Sequence, residues 1–270
     1  MPDTAPFQMI VSLDASGKED NQPALAVAGF VSSAADWEEF TVRWKARLEA
    51  DGITCFHAVE FAQCVKQFAH LKGDEPRRMR LSGDLMNILK TYVYRKFGCI
   101  VVCKDFKGAV GLDLNQVFFP NAYVLAGLAT AADVSIWARR EQLKTPYRIV
   151  FEDGDEGKGA LAGRMITTNL GAPMFQPKKD RLDAKGTLIP GFIPLQAADW
   201  LAYETFLDFK AARGFSKPRP IRWAAEEFSK MVGEVDIIET DNLSQLLTML
   251  KRDLLSRVRL SIATKNEKQG

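Results

Sequence analysis

The sequence predicts an α/β domain in which helices flank a mixed β-sheet. Two short apolar runs lie close together near the N-terminus, at residues 7–13 and 24–31. Farther along the chain, short apolar runs alternate with longer segments whose apolar residues recur at helical spacing. Because early neighbouring strands favour a hairpin, and alternating strands and helices form layers, this order favours one sheet covered by helices.

The individual elements follow from local periodicity. Apolar runs typical of strands occupy residues 7–13, 24–31, 99–103, 147–151 and, weakly, 174–176. Apolar residues at helical spacing predict helices over residues 34–50, 77–97, 119–143, 160–170 and 195–212. Pro76 suits the start of the second helix, because the first helical turn does not need the N–H that proline lacks. After Pro220, a leucine-rich stripe at 243–258 predicts a final helical region.

Length and composition favour one large domain over residues 1–270. Of the 270 residues, 47% are hydrophobic, so the chain can bury a substantial core. We expect a helical insertion over about residues 34–97 and a C-terminal helical extension over about residues 221–262. The net charge of +2 neither requires nor excludes nucleic acid, although basic residues cluster at 178–185 and 210–222. The oligomeric state stays open.

Cysteine and histidine usage bears on location and metal chemistry. The four cysteines form no C-x-x-C pair and only two histidines are present, which disfavours a Cys/His zinc site. The N-terminus lacks a basic start followed by an apolar core, and no apolar run approaches the length of a membrane span. We therefore expect a cytoplasmic protein with reduced thiols and no membrane partner.

The segment LQAADWLAYE places Asp199 near the start of a helix that is otherwise strongly apolar. No lysine or arginine occurs from Gly186 through Phe209, so no residue at helical spacing can neutralise this carboxylate. A buried, unpaired carboxylate is costly, and it survives by shifting its pKa, by pairing with a distant cation or by binding a metal. Asp199 is therefore the first candidate site residue.

Three further acidic residues lie at the edges of apolar segments. Asp14 ends the first strand, Glu60 lies within FHAVEF, and Asp153 follows the strand at 147–151. Ligands in open α/β sheets gather beyond the carboxyl ends of strands, where Asp14 and Asp153 would lie if their strands run side by side. Converging carboxylates repel one another unless a cation such as Mg²⁺ neutralises them. Two such ions, about 3.5–4 Å apart, can activate water for phosphodiester cleavage.

Each of these carboxylates also has a simpler structural interpretation. Asp14 could cap the turn that includes Ser16, and Glu60 could pair with a surface lysine such as Lys66. Asp153, which has acidic neighbours, could belong to an ordinary acidic helix start. The metal hypothesis therefore depends on the carboxylates occurring together.

Four short segments occur in order within residues 7–210: VSLDASG, FHAVEF, FEDGD and LQAADWLAYE. In these segments the chain resembles the bacterial family called domain of unknown function 3800, which is similar to the ribonuclease H-like fold. The resemblance implies three antiparallel strands followed by strand–helix units, and two bound metal ions, Mg²⁺ or Mn²⁺. It implies that the metal-ligating and catalytic carboxylates of this chain are Asp14, Glu60, Asp153 and Asp199.

Five further residues join the predicted site. With the resemblance, His57 is predicted to assist proton transfer, with a structural hydrogen bond as the alternative, and Gln196 is predicted to orient a ligand or a phosphate. Ser16, in the opening motif, is a predicted substrate-binding residue. Lys178 and Lys179 are predicted to contact phosphate groups, with exposed surface lysines as the alternative.

The family's opening motif has a glutamate where this chain has Ala15. Because successive strand side chains point to opposite faces, this difference need not remove a site built on Asp14. Together with the resemblance, the carboxylates predict a divalent-metal-dependent nuclease or phosphodiesterase acting on nucleic acid, with a catalytically degenerate nucleic-acid- or protein-binding module as the alternative. An actin-like ATPase fits less well because the sequence has no second glycine-rich loop. A haloacid-dehalogenase-type phosphatase needs an aspartate where Ser16 stands.

Overall fold

The computed structural model describes residues 9–17, 22–110, 119–143, 146–217 and 220–239. Its strands are β1 (Met9–Ser16), β2 (Ala24–Ser33), β3 (Arg95–Val102), β4 (Tyr147–Glu152), β5 (Met174–Gln176), β6 (Arg181–Leu182), β7 (Leu188–Ile189) and β8 (Gly233–Ile238). Six of them form one sheet in the order β5-β4-β1-β2-β3-β8, while β6 and β7 form a separate hairpin. The predicted mixed α/β sheet is confirmed.

The pairing of the strands brings two carboxyl ends together. The first three strands pair antiparallel, β1 with β2 and β2 with β3. Next along the sheet, β4 pairs parallel to β1 and β5 pairs parallel to β4, while β8 adds a parallel edge strand beside β3. In the β1–β4 pair, Leu13 lies beside Phe151. The residues that follow these two, Asp14 and Glu152, therefore lie at the same end of the sheet.

Helices cover both faces of the sheet. They are α1 (Ala34–Glu49), α2 (Ala58–Gln63), α3 (Glu75–Tyr92), α4 (Cys103–Val110), α5 (Ala122–Arg140), α6 (Lys158–Thr167), α7 (Pro194–Ala212) and α8 (Trp223–Ser229), with a 3-10 helix at Lys66–Leu71. Side-chain caps fix two of the starts: Ser33 accepts from the Asp36 N–H at 3.0 Å, and Asn121 accepts from the Val124 N–H at 2.9 Å. Within the described residues, no helix combines the length and apolarity needed to cross a membrane.

The sheet separates two apolar layers, and this separation decides where a site can lie. On one face, α5 packs on β2 and β3, and β1 contributes Val11 and Leu13 to the layer. On the other face, α7 packs on β1 and β2. Helix α1 joins it there, and its Trp37 indole donates to the Ile10 carbonyl at 2.9 Å. Because side chains alternate along a strand, Asp14 points towards the α7 face.

Three predicted element boundaries differ from the structure. The helix predicted over residues 77–97 ends at Tyr92, and the chain is already in β3 from Arg95. Cys103 begins α4 instead of ending the strand. In the extension predicted as helical over residues 221–262, α8 is followed by the edge strand β8. Gly233 has a φ of +114°, and a Cβ there would lie 2.0 Å from the Lys96 carbonyl oxygen, so the strand begins where only glycine fits. The leucine stripe at 243–258 lies outside the described residues.

Candidate metal centre

Three carboxylates converge where β1 and β4 end. Asp14 is near the end of β1 and Glu152 is the last residue of β4, and the register of the parallel pair makes them neighbours on one face of the sheet. Asp155 follows in the turn after β4. Ligand oxygens of Asp14, Glu152 and Asp155 all lie within 4.8 Å of one another. This carboxylate triad could hold a metal ion.

The negative charge of the carboxylate triad acts on a buried hydroxyl group. Tyr123, in the first turn of α5, is only 4% exposed. Within the part of the chain that the structure describes, its hydroxyl has no hydrogen-bond partner. Burial, followed by the negative charges of Asp155, Asp14 and Glu152, raises the pKa of this phenol. Since buried polar groups are ordinarily satisfied, the Tyr123 hydroxyl is an exception among the described residues.

Lys178 connects the carboxylate triad to helix α7. Its Nζ lies 2.9 Å from Asp14 Oδ2 and 3.4 Å from Asp199 Oδ1. The other oxygen of Asp14 accepts from the Ala15 N–H at 2.7 Å. Asp199 therefore does find a cation, but one supplied by the segment after β5 and not by its own helix.

The second oxygen of Asp199 fixes the segment that leads into α2. Asp199 Oδ2 accepts from the Ala58 N–H at 2.7 Å. One turn earlier in α7, Gln196 Oε1 accepts from the Phe56 N–H at 2.8 Å and from the Trp44 indole at 3.0 Å. The Gln196 amide nitrogen donates to the Lys178 carbonyl at 2.9 Å. Gln196 thus holds Lys178 in place, and its predicted contact with substrate stays a prediction.

The electrostatics of the centre favour an additional cation. Burial raises the pKa of the Asp14 carboxyl to about 8; Asp199 and Glu152 act in the same direction, against the attraction of Lys178. For Lys178, burial lowers the pKa, but the three carboxylates outweigh burial and raise it above its ordinary value. Asp14 therefore holds a proton unusually tightly, and a divalent ion at the triad would replace that proton.

Glu60 does not belong to the carboxylate triad. Its Oε1 lies 2.8 Å from Lys66 Nζ, which is the alternative pairing expected from the sequence. The same oxygen is 3.7 Å from His57 Nδ1. That ring nitrogen is buried and has no hydrogen-bond partner in the described residues. The proton-transfer role of His57 stays a prediction, and Glu60 is already neutralised by a lysine.

Asp153 also lies outside the triad, although the residues on both sides of it contribute to the acidic turn. Its carboxylate forms ion pairs with Lys158 and Arg181. The hydrogen bonds and charges of these two cations lower the pKa of Asp153, against a smaller effect of burial. Because neighbouring side chains in an extended segment point in different directions, Glu152 is directed towards Asp14 and Asp153 is not.

Two of the predicted substrate-binding residues lie near the centre without a defined contact to it. Ser16, at the end of β1, is half-buried, and Lys179 is exposed. Their binding roles stay predictions. Residue-level reasoning from the sequence missed Glu152, Asp155 and Tyr123. Glu152 aligns with Asp14 through the register of the parallel β1–β4 pair, which local sequence patterns do not give.

Comparison with known proteins does not identify a family or a function for this chain. No protein-family profile, no curated protein and no solved structure matches the chain. The resemblance carried by the four short segments therefore stays a prediction. The candidate site consists of the carboxylate triad and Lys178, with the buried Tyr123 hydroxyl subject to the charge of the triad.

Proposed function

We propose that this chain is a divalent-metal-dependent hydrolase of phosphodiester bonds, a nuclease in the simplest case, with Mg²⁺ or Mn²⁺ bound by Asp14, Glu152 and Asp155. The observation that carries the proposal is the convergence of these three carboxylates within 4.8 Å. They meet at the carboxyl ends of two neighbouring parallel strands, the usual position of ligands in open α/β sheets.

The donor set fits Mg²⁺ or Mn²⁺ better than a softer metal. All three candidate ligands are carboxylate oxygens, which hard divalent cations prefer. Mg²⁺ also retains several water ligands when it binds to proteins. The buried Tyr123 hydroxyl has no partner among the described residues, and the charges of all three carboxylates act on it. We therefore propose it as a hydrogen-bond partner for a retained water.

The chemistry would be divided between the ion and the protein. A divalent ion at such a site lowers the pKa of a water and stabilises negative charge on phosphate oxygens. Asp14, Glu152 and Asp155 would hold that ion, while Lys178 supplies a further positive charge beside Asp14. Exposed cations on the segment between β5 and α7, such as Lys179, would contact the phosphates of a nucleic acid.

The architecture is consistent with the ribonuclease H-like resemblance. The first three strands pair antiparallel and are followed by β4 and β5, as that resemblance implies. The departure at Ala15 does not weaken the site, since Ala15 packs against the apolar layer on the opposite face of the sheet from Asp14. A glutamate at that position would be directed away from the triad.

Cleavage assays test this proposal. Single- and double-stranded DNA and RNA are incubated with the wild-type chain in Mg²⁺, in Mn²⁺ and in EDTA. We expect metal-dependent cleavage, and a loss of about 100-fold or more for Asp14→Asn, because a direct ligand exceeds the 10–100-fold typical of outer-shell partners. The matched control is Asp153→Asn, an adjacent carboxylate outside the triad, which should keep its activity. Cleavage that survives both EDTA and Asp14→Asn would refute the assignment.

One observation favours a second candidate function, a binding module without catalysis. Lys178 already contacts Asp14 and Asp199, so part of the acidic charge is neutralised without metal. In that case the chain binds nucleic acid or a partner protein through its basic surface. Affinity for nucleic acid should then be the same in EDTA and after Asp14→Asn, with no cleavage under any condition.

A further inference from the structure

Lys178 is a cation built into the candidate metal centre. Its Nζ contacts one oxygen from the sheet, Asp14 Oδ2 at 2.9 Å, and one from helix α7, Asp199 Oδ1 at 3.4 Å. The lysine side chain is only 15% exposed. A single positive group between carboxylates of two different elements has the arrangement expected of a bridging metal ion.

The location of this lysine is fixed by its surroundings. The Lys178 carbonyl accepts from the Gln196 amide, and the preceding residue, Pro177, accepts from the Phe192 N–H at 2.8 Å. Gln196 is itself buried and is held by two further hydrogen bonds, from Trp44 and Phe56. The backbone at Lys178 is thus tied to the core, and the ammonium group is directed into the site by packed structure.

Asp14 belongs to both halves of the centre. With Glu152 and Asp155 it forms the carboxylate triad, and with Asp199 it holds the ammonium group. Two adjacent cation positions therefore share Asp14, and one of them is already taken by Lys178. A second divalent ion between Asp14 and Asp199 would meet the lysine in direct repulsion.

The supply of ligands leads to the same conclusion. One ion needs only the triad, whereas a second must displace Lys178 from Asp14 and Asp199. The geometry points to a centre that combines one divalent ion with one resident ammonium group.

We propose that Lys178 occupies the second cation position of the centre, so that each chain binds one divalent ion, at the triad. The inference depends on the metal site of the proposed function, and it goes further by fixing the number of ions. In this inference the ammonium group of Lys178 takes the place of a second metal ion, in addition to any contact that it makes with a phosphate.

Ion counting tests the inference directly. Equilibrium dialysis with Mn²⁺, followed by metal analysis, should give one ion per wild-type chain. Lys178→Met removes the ammonium group while keeping an unbranched side chain, and it should bind two ions. Electron paramagnetic resonance should then detect coupling between two nearby Mn²⁺ ions. Lys179→Met, the exposed neighbour, is the matched control and should bind one ion. Lys178→Arg keeps the charge and should also bind one.

The possible outcomes separate this inference from the proposed function. Two ions in the wild-type chain, or one ion in both the wild-type chain and a folded Lys178→Met variant, overturn the inference even if cleavage is observed. No ion in the wild type and one in Lys178→Met would mean that Lys178 excludes the only ion, which overturns the count of one ion per chain and refutes the metal-dependent activity. No ion in either chain overturns both. If Lys178→Met does not fold, the wild-type count decides alone.

Discussion

Helix α7 carries two buried carboxylates with different local charge balances. Glu204 is 1% exposed and forms an ion pair with Arg222 Nε at 2.8 Å. Five residues earlier, Asp199 shares its cation, Lys178, with Asp14, which is also close to the carboxylates of the triad. The same helix thus contributes to an ion pair and to a centre with excess negative charge.

This difference indicates which acidic site can take a ligand. A buried carboxylate matched by an arginine contributes to structure, and an added cation gains little there. Where several carboxylates surround one lysine, their mutual repulsion is relieved by an additional cation. Charge balance, more than burial, therefore separates the Glu204–Arg222 pair from the candidate metal centre.

The largest effect on stability is expected when the balanced pair is broken. Arg222→Met leaves Glu204 buried without this cation, which should lower the free energy of unfolding by about 3 kcal/mol. Urea denaturation measures the change, and adding Mn²⁺ should not restore the loss.

A double variant provides the control for the broken pair. Combining Arg222→Met with Glu204→Leu replaces the ion pair by apolar groups and should recover most of the stability. If Mn²⁺ stabilises the single variant more than the wild type, the distinction between the two regions of α7 is wrong.

The stability of the metal-free chain is expected to depend on pH mainly through the candidate metal centre. The folded-state pKa of Asp14 is raised to about 8 from an ordinary 3.8, chiefly by burial. The folded chain therefore holds the proton of Asp14 more tightly than the unfolded chain does. The resulting contribution to the free energy of unfolding is fully present below pH 4 and is lost as pH rises towards 8. The slope for one proton is at most about 1.4 kcal/mol per pH unit.

Denaturation of the metal-free chain between pH 5 and 8 checks this slope. Asp14→Asn should remove it, whereas Arg222→Met should retain it because the Glu204 pair lies elsewhere on α7. Equal slopes in the wild type and in Asp14→Asn would mean that the pKa of Asp14 is not raised in the folded chain. The distinction between the two regions of α7 would then depend on the Glu204–Arg222 ion pair alone.

Much of the fold could be predicted because its signals are local. The helix at 34–50 and the strand at 24–31 agree with α1 and β2 to within two residues, since each buries a face with its own periodicity. The edge strand β8 was missed because it is short and half-buried. Its identity depends on pairing with the distant β3, which no local pattern encodes.

The candidate site was predicted only in part, for a related reason. Asp14 and Asp199 could be identified because a carboxylate in an apolar segment needs a partner. Lys178 could be listed as basic, but its contact with both aspartates depends on the path of the chain after β5. The choice between Asp153 and Glu152 depends on strand register, and a shift of one residue reverses the direction of a side chain.

Asp153→Asn provides the smallest expected effect and the sharpest test of that register. Asp153 pairs with Lys158 and Arg181 near the surface, and such pairs contribute less than about 1 kcal/mol. Its neighbour Glu152 belongs to the triad, so Glu152→Gln should lower Mn²⁺ affinity while Asp153→Asn leaves it unchanged. Isothermal titration with Mn²⁺ compares the two variants. A reversed result would place Asp153 beside Asp14, and the excess charge that distinguishes this end of α7 would then have to be assigned to different carboxylates.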